Sequence, residues 1–241
     1  MPSNENTQQI KSRQRVAEHG EVFTNPREVN AMLDLVRDES YRLDSRFLEP
    51  ACGDGNFLAE ILRRKLSLIE NLKSQNDWEF QSLIAVSSCY GIELLLDNTE
   101  ACRQRLEEIV LTDYYMSFMG IDYRTEYHSL GTPYRSCNSY DSSPLTNYRK
   151  SLQYMLKMNI VCGDALTYRT SDGKPITFCE WTPIAGSMQF SRRDFQFDFL
   201  VTQSHQYSLF DEQGEVQSFD EPVRAYPPLH YTQLYRYEEQ L

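Results

Sequence analysis

The chain has 241 residues, 40% of them hydrophobic, and a formal net charge of −11, so it can supply a real core for one large domain or two small ones. That acidity opposes tight binding to a phosphate backbone unless local basic patches overcome the repulsion. No run approaches the roughly 18 apolar residues of a membrane helix, and the start MPSNENTQQ carries neither a basic nor an apolar signal segment, so a cytoplasmic protein with no membrane partner is expected. The six cysteines (Cys52, Cys89, Cys102, Cys137, Cys162 and Cys179) are scattered without a CxxC pair, which indicates neither a zinc site nor a disulfide framework.

Residues 1–18 read as a flexible polar arm in which Lys11, Arg13 and Arg15 cluster; a solvated segment and a nucleic-acid contact are the two readings. A single domain is expected over 19–241. Its first helix is announced by Asn25 as N-cap and Pro26 at the first helical position, with Val29, Met32, Leu33 and Val36 on one face. Thr24, just before that start, can place its hydroxyl against a carboxylate ligand or serve the helix as a plain cap.

The most informative stretch is Phe47-Leu-Glu-Pro-Ala-Cys-Gly-Asp-Gly-Asn-Phe57, an apolar strand running through Glu49 and Pro50 into a turn with Gly53 and Gly55. Such a strand, glycine turn and helix at the carboxyl edge of a parallel sheet forms a crevice with free amides at the helix start and a carboxylate beside them. A helix follows over 57–72. The run 82–94 (SLIAVSSCYGIEL) reads as a second strand ending in Glu93, and 97–110 as another helix. Strand and helix alternating with crossover spacing predict an α/β protein with a parallel doubly wound sheet. Glu93, one such unit after the glycine turn, stands where a ribose diol would be held, although a helix-cap or surface carboxylate is the commoner role for such a residue.

Residues 112–147 are polar and tyrosine-rich and read as an insertion, its tyrosines either packed on the domain or available to stack on bases. A helix over 148–158 and a short buried strand, Asn159 to Leu166, follow, the strand ending in Asp164 and Ala165. Residues 175–195 suggest a hairpin or a pair of extended segments, and 195–202 (FQFDFLVT) a fourth strand of the sheet.

The ordered set FTNP, EPACGDGNF, YGIEL, NIVCGDAL, EWTP with RRDF, and FDFLVT resembles the amino-terminal half of adenine-N6 DNA methyltransferases, the modification subunits of restriction-modification systems. The resemblance spans about residues 15–210. It implies a Rossmann-like S-adenosylmethionine-dependent methyltransferase fold. The turn Glu49, Pro50, Ala51, Gly53, Asp54, Gly55 and Phe57 would lie around the methionine part of that cofactor and Thr24 near its carboxylate. Glu93 would hold the ribose, and Asp164 with Ala165 the adenine. The implied chemistry is attack by an exocyclic amine on the sulfonium methyl, on a base flipped out of DNA.

The chain departs from that family where the fourth strand should lead into Asn-Pro-Pro-Tyr. The matching positions are Gln203, Ser204, His205 and Gln206, which lack both prolines and the stacking ring. Misplacements of about 1 Å cost roughly a hundredfold in such sites. Only about 40 residues remain after that strand, too few for the rest of the family's sheet, so the fold reads as incomplete in its carboxyl-terminal half. An exposed apolar edge on the fourth strand is then expected, covered by a tail over 211–241, by self-association or by a second protein chain. Three functions follow: a degenerate or partial cofactor-binding subunit that holds DNA weakly alone, an active methyltransferase completed by a partner chain, or a non-enzymatic regulatory protein on the same fold.

Overall fold

A computed structural model describes residues 24–120, 144–198 and 222–240, together with Ser12, Gln14, Arg15, Ala17 and Val201. The first helix, α1 (Pro26–Asp34), starts as its sequence dictates: the Asn25 side chain accepts a hydrogen bond from the Arg27 amide at 2.9 Å, and Pro26 needs no partner for a missing N–H. Its buried stripe is narrower than the spacing predicts. Val29 and Leu33 are buried, but Met32 is 54% exposed and Val36 lies beyond the last turn. Arg64, buried on α2 (Asn56–Ser67), fastens α1 by bonds to Asn30 Oδ1 at 2.9 Å and Asp34 Oδ1 at 2.9 Å, and reaches Ser40 Oγ at 3.1 Å.

Three parallel strands, β1 (Phe47–Glu49), β2 (Cys89–Glu93) and β3 (Ile160–Asp164), lie side by side in that order, and β4 (Arg169–Thr170) closes the far edge antiparallel to β3. The register sets Glu49 beside Gly91 and Glu93 beside Cys162. Every residue of β2 is buried, as a central parallel strand requires. Its alternate residues Tyr90 and Ile92 pack against Ile176, Phe178 and Phe197, so that face meets an extended segment rather than a layer of helices.

The apolar run 82–94 is mostly not a strand. Residues Gln75–Ser87 form α3, capped by Ser74, and only Cys89–Glu93 are extended. The run is apolar on all sides because α3 is buried on nearly all sides, and periodicity cannot separate such a helix from a buried strand. The helix after β2, α4 (Leu96–Glu108), continues through a π-helical stretch (Ile109–Tyr115) to Phe118, helical where an irregular insertion is expected. Residues 121–143 of that insertion lie outside the described residues, and α5 begins at Pro144 and runs to Asn159.

The remaining strands form a separate antiparallel sheet: β5 (Thr177–Ile184), β6 (Gln189–Gln196) and β7 (Arg224–His230), followed by a 3-10 helix (Tyr231–Gln240). The hairpin reading of 175–195 holds. The fourth-strand reading of 195–202 does not: Phe195 and Gln196 pair with Phe178 and Thr177 of β5, and Phe197, Asp198 and Val201 are helical. Alternation of apolar and polar residues specifies an extended chain but not its partner. Among the described residues no strand pairs with the outer edge of β1, so the open edge is that of β1, where Leu48 is 44% exposed. The tail covers something else than expected. β7 extends the hairpin, its prolines 227 and 228 tolerated on an edge strand, and the 3-10 helix packs on α5, where Leu234 N donates to Ser151 Oγ at 3.0 Å.

This half of the molecule holds its buried charges internally. Arg192, 1% exposed, forms a two-pronged pair with Asp194 (Nε to Oδ1 2.7 Å, Nη2 to Oδ2 2.8 Å) and lies over the rings of Tyr154, Trp181, Tyr226 and Tyr237. Glu79, 1% exposed, accepts from Tyr231 Oη at 2.8 Å, Tyr115 Oη at 3.0 Å and Gln75 Nε2 at 2.8 Å, which ties the 3-10 helix to α3.

Candidate functional site

The carboxyl ends of β1, β2 and β3 bring together the glycine turn, Glu93 and Asp164. The turn is built by positive φ at Gly53 (55°) and Gly55 (88°), a region closed to most side chains. Cys52 N donates to Ile92 O at 3.0 Å and Gly55 N to Cys52 O at 2.8 Å, which folds the turn back onto β2. Gly55 is required by packing as well as by φ: a Cβ there would stand 2.6 Å from Cys102 Sγ on α4. The Cys52 thiol donates to Gly53 O at 3.8 Å, and the neighbouring Cys102 side chain and burial push it far above the ordinary thiol range.

Glu93 is the centre of the arrangement. Its Oε2 accepts the Gly53 amide at 2.9 Å, and its Oε1 accepts the Leu95 amide at 2.9 Å and Asn98 Nδ2 at 3.4 Å. The residue is 8% exposed. A carboxylate offers about four lone-pair positions, so one acceptor position is left, on Oε2, and the long contact to Asn98 is the easiest to displace. Of the roles open to Glu93 in the sequence, the surface carboxylate is excluded by its burial; the carboxylate caps the start of α4 and keeps capacity for one further donor.

The other predicted residues surround it. Thr24 is half-buried, and its carbonyl accepts from Asn56 Nδ2 at 3.4 Å, which sets it at the start of α2 beside the turn. Asp54 Oδ1 is, among the described residues, a buried side-chain oxygen without a hydrogen bond, although Arg105 Nη1 stands 3.2 Å away. Burial pushes the Glu49 carboxyl above its ordinary value. Pro50 and Ala51 are exposed on the rim, and Phe57 is half-buried against the core. Asp164 accepts the Leu166 amide at 2.8 Å and Thr167 Oγ1 at 3.1 Å, and these bonds hold its carboxyl below the usual range. Ala165 is partly buried beside it. Gln203, Ser204, His205 and Gln206 lie outside the described residues.

Sequence reasoning missed the contributors from α4. Asn98 and the Leu95 amide complete the Glu93 cradle, and Arg105 reaches Asn56 Oδ1 at 2.7 Å under the turn. The signal for Asn98 was its place five residues after Glu93 in the first turn of a helix. Arg15, expected in a solvated arm, is instead bound to Asp97 through Nη1 to Oδ2 at 2.6 Å and Nη2 to Oδ1 at 3.2 Å. A cavity of about 1010 Å³ lies elsewhere, among Arg63, Lys73, Trp78, Asp113, Tyr114 and Phe118. It shares no residue with the crevice, and its mixed charges converge on no single point.

The groups that an adenosyl ligand would use are the Glu93 carboxylate with one acceptor position open, the positive-φ turn at Gly53, and Asp54, whose Oδ1 has no hydrogen bond among the described residues and stands 3.2 Å from Arg105 Nη1. Among the described residues no cluster of His, Cys, Asp or Glu could hold a metal ion, and no helix is long and apolar enough to cross a membrane. No protein-family model, no curated protein and no solved structure matches the chain. A mixed α/β protein with a mostly parallel four-stranded sheet is what the fold establishes, and function must be argued from the crevice itself.

Proposed function

We propose that the chain is an S-adenosylmethionine-binding protein resembling the adenine-N6 DNA methyltransferases of restriction-modification or anti-phage systems, working as a degenerate or partial subunit. The observation that carries this reading is the joining of Glu93 to the Gly53 amide at 2.9 Å, which makes the glycine turn and the acidic end of β2 one cradle. Glu93 and its open acceptor position would take a ribose hydroxyl, Asp54 the amino group, and Asp164, oriented by its own turn, the adenine amine. The ligand supplies a sulfonium-bound methyl group. Gln203 to Gln206 lack the prolines and ring that would aim an amine at it, so binding without efficient transfer is the expected behaviour.

A second reading, activity completed by a partner chain, is favoured by one feature: the edge of β1 that is unpaired among the described residues runs directly into the glycine turn, so a strand added there would share the crevice. Calorimetry tests the first reading. Saturable binding of S-adenosylmethionine is expected for the wild type and its loss for Gly53→Val, since valine at positive φ breaks the turn, and for Asp54→Ala. Unchanged affinity in both variants would overturn it. Transfer of a labelled methyl group to unmodified DNA, with and without co-purified chains, then separates the two readings.

A further inference from the structure

We propose that Arg15 is a positioning residue for the crevice, acting through Asp97 on the groups that hold Glu93; the inference rests on the reading of that crevice as an adenosyl-ligand site. Two of the three donors to Glu93, the Leu95 amide and Asn98 Nδ2, come from the start of α4, and Asp97 lies between them. Its N-cap residue, Leu95, supplies no capping side chain, so the start is capped from outside the helix, by the Glu93 carboxylate. The first turn therefore depends on outside bonds for its placement. Arg15 adds one of them from 82 residues away in the chain. Its guanidinium grips both Asp97 oxygens, a planar fork-to-fork contact that fixes direction as well as distance. Its own backbone is set by the bond from its amide to Ser12 Oγ at 3.1 Å.

The pair sits at the rim, with the Arg15 side chain 24% exposed and that of Asp97 58% exposed. It contributes little to global stability. Its effect is local. Asn98 reaches Glu93 over 3.4 Å, the longest of the three bonds, so a small displacement of the first turn of α4 breaks it and lets the carboxylate turn away from the position a ribose hydroxyl would need. Asp97 in the first turn also complements the partial positive charge of the helix start, and Arg15 holds that carboxylate in place.

The experiment is a calorimetric comparison of S-adenosylhomocysteine with its 2′-deoxy analogue. The wild type should prefer the ribose form by about tenfold or more, the worth of a hydroxyl bonded to a carboxylate. Arg15→Ala should shrink that preference by about two- to fivefold, the scale of a partly exposed ion pair, with the thermal midpoint unchanged. Arg15→Lys should restore part of it. An unchanged preference in Arg15→Ala, or equal weakening of both ligands, overturns the role of Arg15 while leaving the crevice reading intact. A wild type that binds neither ligand, or binds both alike, overturns the crevice reading and this inference with it.

Discussion

The carboxyl edge of the parallel sheet and the antiparallel sheet with its aromatic surroundings handle polar groups in opposite ways. Arg192 is matched by Asp194 and enclosed by four rings, and Glu79 has three donors, so nothing there is left for a ligand. At the sheet edge, Glu93 retains an acceptor position, Asp54 Oδ1 has an ion pair to Arg105 but no hydrogen bond among the described residues, and Asp164 is half-buried. Buried polar groups that are fully satisfied hold a fold together, whereas residual bonding capacity in a concave place is what a binding site needs.

Breaking the satisfied region should cost stability without touching the crevice. Asp194→Ala strands the buried Arg192 guanidinium and should lower unfolding free energy by about 3–5 kcal/mol in a denaturant titration. A smaller loss would mean that Tyr154 and the surrounding rings alone can hold the cation. Gly55→Ala comes next. It forces a Cβ against Cys102 Sγ at a left-handed φ of 88° and should destabilise by roughly 2–4 kcal/mol, overpacking and backbone strain combined. Cys102→Ala in the same background should recover the packing part only, which calorimetric unfolding can read.

The smallest effect belongs to Glu49 and sharpens the contrast from the other side. Burial raises its folded carboxyl above the ordinary value of 4.5. The folded state therefore keeps the proton longer than the unfolded chain, and the stability this confers is present below pH 4.5 and lost as pH rises through the folded value. Glu49→Gln should remove that slope and stabilise the protein at neutral pH by less than about 1 kcal/mol, because the group is partly solvated. Thermal midpoints measured from about pH 4 to about pH 8 would check the sign.

How much of this was legible depended on whether the signal was local. Asn25 and Pro26 started α1, and the glycine spacing formed the turn, because capping and positive φ are decided within a few residues. The acidic ends of β2 and β3 fell where the crossover pattern put them. The run SLIAVSS was misread because a helix buried on all sides shows no polar face. FQFDFLVT was legible as extended over Phe195 and Gln196 but not as the partner of β5, since alternation carries no information about the neighbouring strand. The Arg15 pair with Asp97 joins residues 82 positions apart, and nothing in composition announces such a contact. Asn98 could have been found, as an amide within one helical turn of an acidic strand end.

The central claim is that the Glu93 cradle binds an adenosyl ligand while the satisfied polar core does not take part. Titration of S-adenosylmethionine into the wild type and into Glu93→Ala tests it most directly. The account predicts saturable binding to the wild type and a loss of at least about tenfold in the variant, the cost of a charged acceptor, with the variant still folded. Absence of binding to the wild type, or equal affinity in the folded variant, would contradict it.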